Sequence, residues 1–309
     1  MALALRKALT ARWRRAKLIG GLVKNSIVFT LKKSTVRKRF YRKPIDSIIV
    51  DMDGTVFRAD SAREAMSFKF NVKVHGTPLG ELLYAKSLRD IANGRVSVEE
   101  AMINGNKLLV KSGFRKGDFR RLLNIVKKKL RKELILALKE IRRKQPKTKI
   151  ILATHSSSDF SELLNSFLKK RFKFRFDGII GTKMSFDKKG RLNGLNEIIA
   201  TKTHRIGRMK FKTKLSALKE LFQKKGWIFD KTKSLLITDS YSDMDLAKVM
   251  RTILLKQKRN PNLIQKLSQK LRLADAIVED NKLLGKSIES IVLEKKFKQK
   301  RVKKRYPYA

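Results

Sequence analysis

The stretch that decides the fold runs from Ile45 to Thr55 and reads IDSIIVDMDGT. Its first six residues are mostly apolar and β-branched, which predicts a buried strand of a parallel sheet. Two aspartates separated by one residue, Asp51 and Asp53, follow that strand at once. Because doubly wound α/β proteins bind ligands at the carboxyl ends of their strands, we expect these acids at the ligand-binding edge of a sheet.

Buried strands and amphipathic helices alternate along the rest of the chain. The apolar runs KIILAT (149 to 154) and SLLITDS (234 to 240) predict two more buried strands. SSDFSELLNSFLKK follows the first run and TKLSALKELFQKKGW precedes the second, and both have helical periodicity, the latter ending at Gly226. FDGIIGTKMSFDKKGRLNG predicts a strand and a hairpin that turns at residues 188 to 190. This order predicts an α/β fold with a doubly wound, mostly parallel, Rossmann-like sheet.

A mainly helical segment interrupts the alternation. SLRDIANGRVSVEEAMINGNKLL and DFRRLLNIVKKKLRKELILALKEIRRK both place apolar residues three and four positions apart. The predicted division of the chain is a basic amphipathic segment at 1 to 44, a catalytic core at 45 to 66 and 147 to 285, an inserted helical cap at 67 to 146, and a basic C-terminal tail at 286 to 309.

The two aspartates after the first strand allow a division of labour. In an extended segment their spacing would point both side chains the same way, so that one carboxylate attacks as a nucleophile while its neighbour donates or takes a proton. Gly54 would let the chain turn sharply beside them. Taken alone, the motif is also compatible with an acidic turn that caps a helix.

A second acidic pair, Asp239 and Asp243, closes another predicted strand and would bring more carboxylates to the same edge. So many anions need a cation, and Mg²⁺ prefers oxygen ligands. Lys214 at a predicted helix start and Thr154 at a predicted strand end are the kinds of group that a transferring phosphoryl group requires. A single lysine in a chain with 76 lysines and arginines is otherwise a surface residue.

Together these motifs resemble the haloacid dehalogenase superfamily, whose pattern is DxDG(T/V), a strand-terminal Ser or Thr, a lysine, and an acidic pair after a strand. The phosphoserine-phosphatase-like branch is closer still. DMDGTVFRADS contains Asp60 and Ser61, and the segments FDGIIGTKMSFDKKGRLNG, DSYSDMDLAKVM and NPNLIQKL resemble later parts of that branch. The resemblance covers roughly residues 45 to 280.

The resemblance implies a magnesium-dependent phosphatase that hydrolyses a phosphate monoester through an aspartyl-phosphate. Asp51 would be the nucleophile and a magnesium ligand. Asp53 would be the general acid and base, with its backbone carbonyl on the metal, and Asp239 would be a further metal ligand. The helical insert would be a cap that closes over the site, excludes water and selects the substrate.

The resemblance assigns phosphoryl binding to Thr154 and Lys214, and a supporting role to Asp243, which would position Lys214 or a metal-bound water. Lys210 and Lys212 are close enough to be alternatives. We favour Lys214 because KLSALKEL matches the lysine that the family places at a helix start. Gly54 and Asp60 would support the site as well.

Departures from the branch argue against phosphoserine as the substrate. Phosphoserine phosphatases have a glutamate nine residues after the nucleophile, a Ser-Gly-Gly second motif and a GDGxND last motif. This chain has Asp60, ATHSSSD and TDSYSD instead. His155, next to Thr154, is either a site residue near the leaving group or a packed residue.

The composition is extremely basic, with a formal net charge of +49. Such a surface attracts nucleic acid, anionic lipid headgroups and anionic metabolites, although a lineage-wide lysine bias or a salt-rich interior of the cell would also account for it. The chain has no cysteine, and its three histidines lack metal-ligand spacing, so any metal would be held by oxygen.

Residues 1 to 44 hold fourteen lysines and arginines and no acid. Leu5, Leu9, Trp13, Ala16 and Ile19 recur at near-helical spacing, which predicts a basic amphipathic helix. This helix would contact an anionic membrane, act as a mitochondrial transit peptide, or pack on its own domain. Residues 19 to 31 are too short and too interrupted to span a bilayer. A cytoplasmic location is expected, with peripheral membrane contact and mitochondrial targeting as alternatives.

Two other functions remain open from the sequence. One is a nucleotide or nucleic-acid end phosphatase, which the positive charge favours. The other is a catalytically silent protein that keeps the fold and binds RNA or an anionic membrane. The chain has no glycine-rich P-loop and no GxSxG motif, which excludes the P-loop NTPase and serine-hydrolase classes that depend on them.

Overall fold

The computed structural model describes residues 44–93, 95–200, 204–206, 209–239, 243–256, 274–279 and 284–293. Its strands are β1 Ser47–Val50, β2 Lys73–Val74, β3 Thr77–Pro78, β4 Lys149–Ser157, β5 Gly178–Phe186, β6 Leu192–Ile199, β7 His204–Ile206, β8 Met209–Lys212, β9 Ser234–Thr238, β10 Arg251–Lys256 and β11 Ala276–Glu279. Its α-helices are α1 Ser61–Lys69, α2 Leu79–Ala92, α3 Val98–Lys111, α4 Asp118–Val126, α5 Lys132–Lys144, α6 Ser158–Phe172, α7 Lys214–Lys224, α8 Met244–Ala247 and α9 Leu284–Val292.

The strands form a sheet in the order β11-β10-β9-β1-β4-β5-β6-β8-β7. The pairs from β11 to β5 are all parallel, whereas β5 with β6 and β7 with β8 are antiparallel. The predicted α/β fold with a mostly parallel sheet is therefore confirmed. The antiparallel β5 and β6 are the two strands of the predicted hairpin, and Gly190 has the positive φ of +71° that its turn requires.

Every residue of β1 is buried because helices cover both faces of the sheet. On one face, Ile48 and Val50 share a hydrophobic cluster with α5, α6 and α9. On the other face, Ile49 packs with α7 and α8. The apolar run that the sequence shows before Asp51 is therefore the central strand of the sheet, and it holds Asp51 at the carboxyl edge.

The second strand of the core is longer than predicted. β4 continues to Ser157, so Thr154 is not at the strand end. The register between β4 and β5 shifts between Ala153 and Ser157, however, and Thr154 lies within that irregular stretch. The polar residues of ATHSS remain extended because Ser157 still pairs with β5 beyond the bulge. The sequence pattern did not indicate this continuation of the strand.

The predicted insert is mainly helical, as expected, but its first long run is divided. α2 ends at Ala92 and α3 begins at Val98, with Ser97 and Glu100 forming a capping box. The division into core and cap remains a prediction, and two observations concern its boundaries. α5, inside the predicted cap, packs against α9 and into the core beneath the sheet. α9, at the start of the predicted tail, is ordered by the buried residues Leu284, Ile288 and Val292.

The predicted basic amphipathic segment at 1 to 44 lies outside the described residues except for its last residue, Pro44. The loop NPNLIQKL and the part of the predicted tail beyond residue 293 also lie outside them. Among the helices that are described, none combines the length and apolar character needed to cross a bilayer.

Candidate active site

A buried ion triad lies at the carboxyl edge of the sheet. Asp51 follows β1, and its Oδ1 accepts a hydrogen bond of 2.7 Å from Nζ of Lys214. The same Nζ lies 2.5 Å from Oδ1 of Asp243. The three side chains are almost fully buried. Lys214 is the first residue of α7, and Thr213 fixes that helix start by capping the backbone N–H of Ser216 at 3.1 Å.

The triad carries more negative than positive charge. Burial raises the pKa of Asp51 well above its usual range, Lys214 opposes this rise, and the charges of Asp243 and Asp239 add to it. Burial also disfavours the ammonium of Lys214, but the carboxylates of Asp243 and Asp51 outweigh that effect and raise its pKa. Lys214 is therefore a fixed cation at neutral pH.

Asp53 has different partners from Asp51. Its carboxylate accepts hydrogen bonds from the backbone N–H of Ser61 at 2.8 Å, from Oγ of Ser61 at 2.9 Å, and from Oγ of Ser156. Burial and the nearby charge of Asp60 raise its pKa to about 7, against the hydrogen bonds that lower it. The chain does not stay extended after Asp51 but turns at Met52, whose carbonyl accepts from three later N–H groups. The two aspartates therefore have the different environments that a division of labour between them requires.

The turn after Asp53 brings the last acidic motif into contact with the first. Oγ1 of Thr55 donates to Oδ1 of Asp239 and accepts from the N–H of Asp239, both at 3.0 Å. Gly54 has a φ of +75°, and a Cβ at this position would lie 2.1 Å from Oδ2 of Asp239. Burial raises the pKa of Asp239 to about 6, although Thr55 and Arg131 lower it.

The remaining predicted residues surround this centre. Thr154 is buried, and its Oγ1 accepts a hydrogen bond from the backbone N–H of Ser156 at 3.0 Å. Within the described part of the chain, this hydroxyl forms no hydrogen bond with another predicted site residue. Lys212 pairs instead with Glu197 and Glu220, whereas Lys214 is the lysine that contacts Asp51. Oδ2 of Asp243 accepts from Thr238 at 2.6 Å, which fixes the carboxylate that holds Lys214.

His155 packs against the triad. Its Nδ1–H donates to the carbonyl of Ile199 at 2.7 Å, and its Nε2 lies 3.9 Å from Oδ1 of Asp243. Burial and the charge of Lys214 lower its pKa, so the ring is neutral at neutral pH. Of the two interpretations, this geometry favours the packed residue, which ties β4 to β6.

The model of the haloacid dehalogenase-like hydrolase family matches residues 48–248, which span all of these positions. The chain belongs to this family. Three solved structures have the same fold. A hydrolase of the family from Salmonella enterica serovar Typhi has 15% identity and a TM-score of 0.59, and the match covers 82% of this chain and 72% of that one. An analogue of the phospho-aspartyl intermediate of phosphoserine phosphatase has 14% identity and a TM-score of 0.52, with coverages of 78% and 96%, and a phosphoserine phosphohydrolase-like protein from Francisella tularensis has 14% and 0.53, with coverages of 76% and 95%. No match is found among curated proteins.

The carboxylate oxygens at the site of this hydrolase fit a magnesium ion that has few protein ligands. Within the described ranges, no group of three or more His, Cys, Asp or Glu side chains is arranged to hold a metal, so a cage of side chains alone is not present there. Mg²⁺ is usually bound through one or two carboxylates and keeps several waters. Asp51 and Asp239 supply two carboxylates whose pKa values are raised mainly by burial, and a divalent cation beside them would favour their ionised forms.

Asp60 supports the hydrolase's site from the start of α1. It caps that helix by accepting from the N–H of Arg63 at 2.9 Å, and its other oxygen accepts from the hydroxyl of Tyr84. Burial and the charge of Asp60 raise the pKa of Tyr84, so this hydroxyl remains a donor. A carboxylate that is already engaged in this way is poorly placed to bind a free ammonium group.

Arg131 contacts the turn at this site, and no sequence pattern identified it. It is fully buried, and its Nη1 donates to the carbonyls of Thr55 at 2.7 Å, of Phe57 at 3.2 Å, and of Gly54. These carbonyls belong to the turn that carries Asp53 and contacts Asp239. Arg131 stands in the run KKKLRKEL, where nothing distinguishes it from the surrounding basic residues.

Replacing Gly54 by Ala is expected to destabilise the protein more than replacing Gly226 by Ala. Both glycines have positive φ, +75° and +64°, so both substitutions incur about 1 to 2 kcal/mol of backbone strain. Only at Gly54 would the new methyl group collide with Asp239, since nothing lies within 4 Å of a Cβ at Gly226. Calorimetric melting temperatures of both variants check this, and equal decreases would contradict the close approach of Gly54 to Asp239.

Proposed function

We propose that this hydrolase is a magnesium-dependent phosphatase that cleaves phosphate monoesters through an aspartyl-phosphate on Asp51. The observation that carries the proposal is the difference in environment between the two aspartates of one motif. Asp51 is paired with the fixed cation Lys214, whereas Asp53 is held by Ser61 and Ser156 with a pKa of about 7. Two carboxyl groups with separate surroundings suit a nucleophile and a general acid.

The proposed reaction has two steps. In the first, a carboxylate oxygen of Asp51 attacks the phosphorus atom, the ester P–O bond breaks, and the leaving oxygen takes the proton of Asp53. In the second, Asp53 removes a proton from water, the water oxygen attacks the phosphorus atom, and the bond to Asp51 breaks to release inorganic phosphate. Both aspartates return to their starting protonation states, so the cycle consumes one ester and one water.

The remaining residues would stabilise charge on the transferring group. Lys214 supplies a positive charge that Asp243 holds in place, and the hydroxyl of Thr154 would donate to a phosphoryl oxygen. The carboxylates of Asp51 and Asp239 and the backbone carbonyl of Asp53 would hold magnesium, which would offset the charge of the phosphate oxygens when bound.

The substrate that we propose is a monoester other than phosphoserine. Phosphoserine phosphatases are among the proteins with this fold, but at 12 to 14% identity they indicate the fold alone. In the present chain Asp60 replaces the branch's glutamate, and its carboxylate is already bonded to Arg63 and Tyr84. A substrate without an ammonium group near this position therefore fits better.

A phosphate-release assay tests the proposal. The full chain is incubated with phosphoserine, nucleotides, phosphosugars, phosphatidylglycerol phosphate and an oligonucleotide with a terminal phosphate, each with magnesium or with EDTA. We expect magnesium-dependent release from at least one ester other than phosphoserine. Release that persists in EDTA would contradict the metal requirement, and a preference for phosphoserine would contradict the role given to Asp60.

Replacing Asp239 by Asn is expected to raise the melting temperature of the metal-free protein at pH 7 by a few degrees. The pKa of Asp239 rises from 3.8 to about 6 on folding, so its contribution to stability is full below pH 3.8 and is lost as the pH rises through 6. At neutral pH its buried charge therefore opposes folding, and the neutral amide does not.

Thermal unfolding in EDTA at pH 7 and at pH 3.5 measures this effect. The difference between the native chain and the Asp239→Asn variant should disappear at the lower pH, where the native carboxyl is protonated. Magnesium at pH 7 should stabilise the native chain and leave the variant unchanged. A variant that responds to magnesium as strongly as the native chain would remove Asp239 from the metal site.

A further inference from the structure

A basic groove lies on the side of the protein away from the active site. It has a volume of about 730 Å³ and is lined by Arg142, Ser166, Lys169, Lys170, Lys173, Phe174 and Arg175. The loop after α6 contacts the amino end of β4. The backbone N–H of Asp177 donates to the carbonyl of Ile150 at 2.7 Å, and Oδ2 of Asp177 accepts from the N–H of Ile150 at 2.8 Å. Asp51 follows the opposite, carboxyl end of the neighbouring β1. The groove is thus separate from the triad.

The loop that lines part of the groove is held by hydrogen bonds to its backbone. Asn165 binds both backbone groups of Phe176, accepting from its N–H at 2.7 Å and donating to its carbonyl at 3.3 Å. Arg142 donates to the carbonyl of Arg175 and to Asp177, and its guanidinium lies 5.0 Å from the ring centre of Phe174. Phe174 and Phe176 are buried, whereas the intervening Arg175 is exposed. The loop therefore presents its basic side chains outward from a fixed backbone.

Lys173 occupies a position that usually belongs to glycine. It ends α6 in the left-handed conformation, with a φ of 53° and a ψ of 39°. A residue with a Cβ pays about 1 to 2 kcal/mol for this conformation, and helices commonly end in Gly or Asn for that reason. Backbone strain of this kind is characteristic of functional positions. Lysine stands at this position although glycine would adopt the same conformation with less strain.

The charge of the groove is not balanced by acids. Within the described residues, the side chains of Lys169, Lys170, Lys173 and Arg175 form no ion pair, and only Arg142 has a carboxylate partner, Asp177. Lysines in the last turn of α6 complement the helix dipole. That explanation does not extend to Lys173 and Arg175, which lie beyond the last residue of the helix. Their arrangement points to an external anion.

We propose that this groove binds the phosphate backbone of a nucleic-acid strand. A concave surface lined by several cations suits the closely spaced phosphates of a strand. An anionic membrane is a poorer fit, because a bilayer is flat and none of the exposed large apolar side chains of the described residues lines the groove. The ring of Phe174 is buried, so it offers no surface for base stacking, and the binding is independent of sequence.

Salt-dependent binding of a single-stranded oligonucleotide of about twelve nucleotides to the full chain tests this inference. The groove variant combines Lys169→Gln, Lys173→Gln and Arg175→Gln. Loss of three phosphate contacts should reduce the slope of log K against log salt by about 2, since each contributes about 0.7 in single strands. Affinity at physiological salt should fall on the order of tenfold or more.

A matched variant with Lys219→Gln, Lys224→Gln and Lys225→Gln removes the same charge from two exposed residues of α7 and from the exposed residue directly after it, on the other face of the sheet. It should keep the native slope within about 1. Equal losses in both variants would show that binding follows net charge, and would overturn the groove. So would a groove variant that loses binding to vesicles of anionic lipid but keeps binding to the oligonucleotide.

Two further measurements place the contact. Photocrosslinking of the oligonucleotide to the native chain should label residues 169 to 175, and labelling confined to other segments would overturn the proposal. The single change Lys173→Gly should weaken oligonucleotide binding without lowering the melting temperature, because glycine relieves the left-handed strain. A stable Lys173→Gly protein with native affinity would remove Lys173 from the site.

Discussion

Asp51→Asn is expected to lower the rate of phosphate release by at least about a thousandfold, because an amide cannot form the acyl-phosphate that the proposed mechanism requires. Asp53 cannot replace it, since the carboxylate of Asp53 is bonded to Ser61 and Ser156 rather than to Lys214. The measurement is single-turnover phosphate release with the best ester of the panel and saturating magnesium.

The fold should survive this substitution. Lys214 keeps its contact with Asp243 at 2.5 Å, so the buried ammonium retains a carboxylate partner. The pKa of Asp51 is raised on folding, which means that its ionised form opposes folding at neutral pH. We therefore expect a melting temperature close to that of the native chain, and loss of activity without loss of structure.

Asp46→Asn is the matched control for Asp51→Asn. Asp46 lies just before β1 and is exposed, and its carboxylate is 3.4 Å from Lys233 in a surface ion pair. Such pairs contribute at most about 1 kcal/mol, so activity and stability should both stay near native. If Asp51→Asn keeps more than a tenth of the native rate while Asp46→Asn is also active, Asp51 is not the nucleophile.

The sheet and the position of its acids were predictable because they depend on local patterns. A buried β-branched run followed by an acid identifies both a central strand and its carboxyl end, and parallel strands collect such ends on one edge. On this reasoning Asp51 and Asp239 were predicted at one edge of the sheet. Their strands β1 and β9 are indeed neighbours, although the paired residues Ser47 and Ser234 are 187 positions apart in the sequence. The family pattern then selected Lys214 from among neighbouring lysines.

Features that depend on how the chain turns or packs were not predictable in this way. The spacing of Asp51 and Asp53 allowed two separate roles, but it did not reveal the turn at Met52 or the different partners of the two carboxylates. A strongly basic composition hides the lysines and arginines that have special surroundings. Arg131 is buried and Lys173 has a left-handed backbone conformation, yet nothing in the sequence distinguishes either residue from the neighbouring lysines and arginines.

Arg131→Met is expected to destabilise the protein by about 3 kcal/mol or more, which corresponds to a decrease in melting temperature of roughly 10 °C. Methionine fills a similar volume but donates no hydrogen bond, so the carbonyls of Gly54, Thr55 and Phe57 lose the donor that binds them in the interior. Arg131→Lys should recover little, because one ammonium does not reproduce the planar fork of a guanidinium.

Arg143→Met, in the last turn of the helix that begins directly after Arg131, is the control for Arg131→Met. Arg143 is 69% exposed and pairs with Glu140, so its loss should change the melting temperature by no more than a degree or two. Arg131 also attracts the carboxylate of Asp239 and thereby lowers its pKa. An Arg131→Met protein that melts like the native chain would show that the turn carrying Asp53 and contacting Asp239 holds its shape without the arginine.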